Sequence, residues 1–190
     1  MRLNDSDAWS KFVYVLLYPG ILGSMLYEAT NTIIETAREN RMNALEWYLT
    51  ARFLVIILYC LDFLHMYNDL DKKTKASKWW LFVDTVIPII FAVAYWLTSR
   101  EAYTWQFGVL SVAFILIWAY PSPQNTRRFL YKSGKSLALA VALLAFVAFA
   151  IDLYAYYFYW SLALTITYAL HVFLFTTLAT ELSREHEQCS

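Results

Sequence analysis

Two aspartates, Asp62 and Asp84, lie on either side of the lysine-rich stretch Asp71–Lys78, each about five residues inside an apolar run. His65 follows Asp62 by three positions, which puts both on one face of a helix. Two carboxylates drawn together at one depth cannot both ionise cheaply, so a proton or a cation is held between them. A neighbouring imidazole is suited to relaying that proton. The same three side chains are chemically acceptable to a hard or borderline divalent metal. No metal-ligand spacing motif accompanies them, so no metal site is assigned. The competing expectation is mechanical: Lys72, Lys73, Lys75 or Lys78 reaches back from the loop and clamps the hairpin by pairing with an aspartate.

A second group consists of Glu28, Arg52 and Asp152, each in an apolar run. One arginine beside two acids predicts a buried ion pair that fixes helices in register. Alternatively, one carboxylate stays available as a cation ligand or a general acid. His171 falls between the two groups in depth, one turn after Thr167 and Tyr168. It is expected either to hydrogen-bond a neighbouring helix or to bridge the groups as a relay. A haem held by His65 and His171 is unattractive, because ideal helices separate them in depth by about 10 Å.

The elements that carry these residues are long and apolar. Of the 190 residues, 60% are hydrophobic and only 16% charged, against about 25% charged in soluble domains. The apolar residues fall into blocks of about 20, the length that crosses a hydrocarbon core. The expected fold is therefore all-α, a single polytopic membrane domain with six transmembrane helices at about 8–37, 44–67, 79–98, 102–120, 135–158 and 162–182. Bends are expected at Pro19-Gly20 and Pro88. Pro121-Ser122-Pro123 ends the fourth helix, 124–134 forms the longest loop, and Tyr159-Trp160-Ser161 forms a hairpin turn. In the first helix Gly20, Ser24, Glu28, Asn31 and Glu35 form one small-and-polar stripe, which is expected to face protein or water rather than lipid.

Orientation follows from the basic residues. With six spans, Arg2, Lys11, Lys72, Lys73, Lys75, Lys78, Arg127, Arg128, Lys132, Lys135 and Arg184 share one side, and only Arg38, Arg41 and Arg100 occupy the other. The excess of positive charge places both termini in the cytoplasm of a multi-pass cell-membrane protein. The tryptophans support the same spans, since seven of the eight lie near expected helix ends and Trp118 is within three residues of one. The polar N-terminus lacks the pattern of a cleaved signal peptide. Cys60 and Cys189 form no pair motif. The formal net charge of zero gives no reason to expect nucleic acid as a partner. No helix carries arginine at every third position, as a voltage sensor requires. No nucleotide-binding, zinc-protease or serine-hydrolase motif occurs, and no cofactor is assigned.

The expected function is a small transporter, or transporter-like binding protein, for a proton, a cation or a proton-coupled solute. Asp62, His65, Asp84, Glu28, Asp152 and His171 form its binding path, and Arg52 is a structural ion-pair partner. Its partners are the bilayer, a small ligand and, given how little volume six short helices enclose, a second copy or a membrane complex. One alternative is a membrane-embedded enzyme acting on an isoprenoid- or quinone-like substrate. There Glu28 or Asp152 is the general acid, in an aromatic cavity supplied by some of the fifteen tyrosines. A third reading is an accessory subunit in which every charge is a structural pair.

Overall fold

The computed structural model describes residues 9, 11–38, 42–68, 78–99, 102–119, 128–151 and 157–188. Among these residues the chain is helical apart from Ala102 and Ile151, and it has no strand. A six-residue π-helical segment, π1 (Phe12–Leu17), runs directly into α1 (Tyr18–Arg38). The remaining helices are α2 (Met42–Asn68), α3 (Lys78–Ser99), α4 (Tyr103–Ala119), α5 (Arg128–Ala150) and α6 (Tyr157–Gln188).

π1 has a local cause in the sequence. Pro19 has no N–H, and in a regular α-helix its ring clashes with the carbonyl four residues back, here that of Val15. Widening the turn relieves the clash, and Tyr18 donates its N–H to the Val13 carbonyl, five residues back. At the Pro-Gly site the helix thus continues from the π segment into α1 without a break. Pro88 lies inside α3, which continues through it.

The expected boundaries of the last two helices are corrected. The apolar run of α5 ends at Ala150, directly before Ile151 and the charged Asp152, and Tyr159-Trp160-Ser161 lies within α6 rather than in a turn. At its other end α5 starts at Arg128, seven residues earlier than expected, and takes Gly134 into its interior. A helical glycine costs only about 1 kcal/mol relative to alanine, and the lysines and leucines around it are good helix formers. α6 likewise extends to Gln188, through a polar end rich in glutamate.

The six helices close into a ring in the order α1, α2, α6, α5, α4, α3, and α2 also touches α3 across it. α4 and α5 form the tightest seam. α5 presents a face of small residues there, Ala138, Ala142, Ala145 and Ala148, all buried, which lets backbones approach closely. A Cβ placed at Gly108 of α4 would stand only 3.0 Å from the Phe149 ring. The α1–α3 seam is the most sparsely packed in the ring.

Large apolar side chains face outward, while several charged ones lie within the apolar core. Leu16, Phe82, Trp105, Phe146, Ile166 and Phe173 are all more than half exposed, whereas Arg52, Asp62, Asp84 and His171 are buried. Hydroxyls on the helices bond back to the carbonyl one turn earlier even where exposed, as Ser24 does to Gly20 and Thr30 to Leu26. The stretch Phe12–Arg38, 27 residues of mean hydropathy 1.3, is long and apolar enough to cross a membrane. Among the described residues the other apolar stretches, Phe82–Thr98, Thr104–Ala119, Ser136–Ala150 and Phe158–Phe173, fall short of that length at 10–17 residues.

Candidate functional site

Tyr14 sits in the middle of π1 and Tyr18 at its end, and their rings stack almost parallel with centroids 5.7 Å apart. From this pair the two hydroxyls reach different helices. Tyr14 Oη donates to Asp84 Oδ2 of α3 at 2.8 Å, and Tyr18 Oη donates to Asp62 Oδ2 of α2 at 2.8 Å. A third hydroxyl arrives from α6, where Tyr168 donates to Asp62 Oδ1 at 3.0 Å. Both aspartates are 0% exposed. The structure therefore brings Asp62 and Asp84 to one stacked tyrosine pair. His171, also buried, continues the line, its ring stacked on that of Tyr168 with centroids 5.6 Å apart.

The surroundings of this centre are aromatic. Tyr59 and Phe63 of α2 each pack on the Tyr18 ring at 5.3 Å, and Phe114 of α4 packs on Tyr168 at 4.9 Å. Tyr59 also donates its hydroxyl to the Tyr18 carbonyl at 2.9 Å, which fixes the exit of π1 against α2. Trp9 donates to the Thr85 hydroxyl at 3.2 Å and ties the chain ahead of π1 to α3 beside Asp84. In so apolar a shell, charged hydrogen bonds are stronger than in water, and a carboxylate lacking them is costly.

The second group is assembled ten residues further along α1, roughly 15 Å away. Arg52 of α2 donates through NH2 to Glu28 Oε1 at 3.0 Å and through NH1 to Thr32 Oγ1 at 2.9 Å. Its guanidinium lies over the Tyr95 ring of α3, 5.2 Å from the centroid, and Tyr95 in turn donates to the Met25 carbonyl at 2.8 Å. Arg52 thus joins α1, α2 and α3. The side chains of the pair differ in access, with Arg52 2% and Glu28 46% exposed. Beside Glu28 a groove of about 500 Å³ runs along the α1–α3 seam. Its walls are mostly apolar, and Gly20, Ser24 and Glu28 of the small-and-polar stripe line it.

The His65 side chain and the whole of Asp152 lie outside the described residues. Among the described residues no three of His, Cys, Asp and Glu gather closely enough to hold a metal ion. Sequence reasoning did not find Tyr14, Tyr18, Thr32 or Tyr95. The signal for the first two was present: tyrosines four apart, immediately before a proline in an apolar helix. The chain matches no known family, and no curated protein or solved structure is detectably similar to it.

Proposed function

We propose that the chain is a six-span membrane protein with both termini in the cytoplasm. At the Asp62–Asp84 centre it binds and moves a proton, a small cation or a solute coupled to one. The observation that carries this reading is the pair of wholly buried carboxylates joined through Tyr14 and Tyr18. Buried ionisable groups in an apolar bundle are costly to maintain, and their usual return is function. A tyrosine hydroxyl donates to a carboxylate and accepts from a carboxylic acid. The Tyr14–Asp84 and Tyr18–Asp62–Tyr168 bonds therefore tolerate either protonation state without rebuilding the core. His171, whose ring lies 5.6 Å from that of Tyr168, places another titratable group beside the centre.

The membrane reading is supported by the apolar exterior and by exposed hydroxyls that satisfy themselves on their own helix. The groove beside Glu28 supports a second site, for a lipophilic molecule, on the same protein.

The test is proton or cation uptake by the full chain in proteoliposomes, followed with an internal pH- or ion-sensitive dye under an imposed gradient. Asp62→Asn and Asp84→Asn are each expected to abolish flux, while Glu35→Gln, at an exposed position, preserves it. Wild-type flux in both aspartate variants would remove the site. Folded variants that lose stability, from a wild type that shows no flux, would point to the accessory-subunit reading.

A further inference from the structure

The groove along the α1–α3 seam has a shape and a polarity that select a ligand. One face of the first helix lines it from Phe12 to Glu28 at steps of four, through Leu16, Gly20 and Ser24. That is 16 residues of helix, roughly 24 Å. A volume of about 500 Å³ lies within the usual range for small-molecule sites. Spread over that length, it leaves a cross-section the width of one alkyl chain. The middle of the groove is open because its residues are small, and a Cβ added at Gly20 would meet nothing within 4 Å.

Charge is confined to one end. Among the described residues, Glu28 is the only acidic or basic side chain lining the groove. Its counter-ion, Arg52, is sunk behind it at 3.0 Å and 2% exposed, while the glutamate remains nearly half exposed. The pair therefore turns its negative end toward the groove. The half-exposed Trp96 stands at the same end and offers an aromatic face of the kind that attracts cations.

We propose that this groove binds a single-chain lipophilic cation, its ammonium head on the Glu28 carboxylate and its tail along Ser24, Gly20, Leu16 and Phe12. The other occupants of such a groove fit the charge less well. An anionic head would meet the carboxylate directly. A second copy of the chain, docked by two-fold symmetry through the same face, would set two Glu28 side chains against each other. The site is independent of the Asp62–Asp84 centre and does not require that centre to carry protons.

The experiment uses the full chain in nanodiscs of zwitterionic phospholipid, dialysed to equilibrium against radiolabelled dodecyltrimethylammonium, with empty nanodiscs subtracted. Saturable binding of one probe per chain is expected, uncompeted by equimolar dodecyl sulfate. Glu28→Gln and Gly20→Leu are each expected to weaken it at least tenfold. Gly20→Leu fills the groove yet leaves the Glu28–Arg52 pair intact, so it decides the matter if Glu28→Gln fails to fold. Competition by dodecyl sulfate as strong as that by unlabelled probe would overturn the proposal, as would partitioning without saturation. Wild-type affinity in folded Gly20→Leu would do the same, and so would a wild-type dimer that Gly20→Leu dissociates.

Discussion

Tyr168 and Asp62 are 106 positions apart in the chain and 3.0 Å apart in space. The bond between them makes α6, the last helix, a ligand of the first acidic site. Tyr18 takes the other oxygen of the same carboxylate, so Asp62 is held from both ends of the sequence. A hydrogen bond to a charged group contributes about 1.5–3 kcal/mol. Tyr18→Phe and Tyr168→Phe should each lower stability by an amount in that range, measured by denaturant unfolding of the purified chain. The double variant strips both hydroxyls from a wholly buried carboxylate. It should cost at least about 0.5 kcal/mol more than the sum of the single variants. Strict additivity would mean that the two oxygens are held independently.

π1 makes a separate claim about Tyr14. The segment carries one residue more per turn of hydrogen bonding than an α-helix, and its cause is Pro19. Pro19→Ala removes the ring and restores an N–H, so the segment is expected to relax to α-helix. Everything before Tyr18 then rotates by about 100°, which swings Tyr14 away from Asp84 while Tyr18 keeps Asp62. A Tyr14→Phe substitution should therefore destabilise the wild-type chain by about 1.5–3 kcal/mol and the Pro19→Ala chain hardly at all. An equal cost in both backgrounds would show that Tyr14 does not depend on the π register.

How much of this was legible in the sequence differs from residue to residue. Asp62 and Asp84 stand out because a charge in an apolar run has no cheap explanation, and the structure brings both to one tyrosine pair. The Arg52–Glu28 contact was equally readable from the scarcity of cations in the apolar runs. The tyrosines were not, because among fifteen of them composition cannot distinguish a ligand from a packing residue. Only the π register and the α1–α2 pairing select Tyr14 and Tyr18. The end of α5 was expected beyond Asp152 and falls at Ala150; two other helix limits were misjudged where charge was expected to mark them. Arg128–Lys135 is charged and helical, and so is the end of α6.

The proposed topology makes a labelling prediction. Cys60 lies half-buried in α2 as a free thiol, and Cys189 is the penultimate residue of the sequence. With Cys60→Ala, Cys189 is the single thiol left. If the C-terminus is cytoplasmic, a membrane-impermeant maleimide should leave intact cells unlabelled and react once the membrane is opened. Labelling of intact cells would reverse the orientation. Equal labelling in a cytosolic fraction would remove the membrane reading altogether.

Arg52 is expected to resist replacement even by lysine. Its guanidinium uses one nitrogen on Thr32, another on Glu28, and its face on Tyr95. An ammonium is a point charge on a flexible stem and cannot meet all three. Arg52→Lys should destabilise the chain by about 1–3 kcal/mol, and Arg52→Met by more, because Glu28 then loses the guanidinium it pairs with. Glu28→Gln keeps a hydrogen-bond acceptor for the guanidinium but leaves its charge buried. Wholly buried pairs cost about 3–5 kcal/mol to break. Glu28 is nearly half exposed, so this pair is not wholly buried, and a smaller loss of about 1–2 kcal/mol is expected. Glu35→Gln, on the same helix and exposed, should change stability by less than about 0.5 kcal/mol. If Arg52→Lys unfolds with the wild type, the three contacts do not act together. Arg52 would then be a charge balance for Glu28 rather than the joint between α1, α2 and α3.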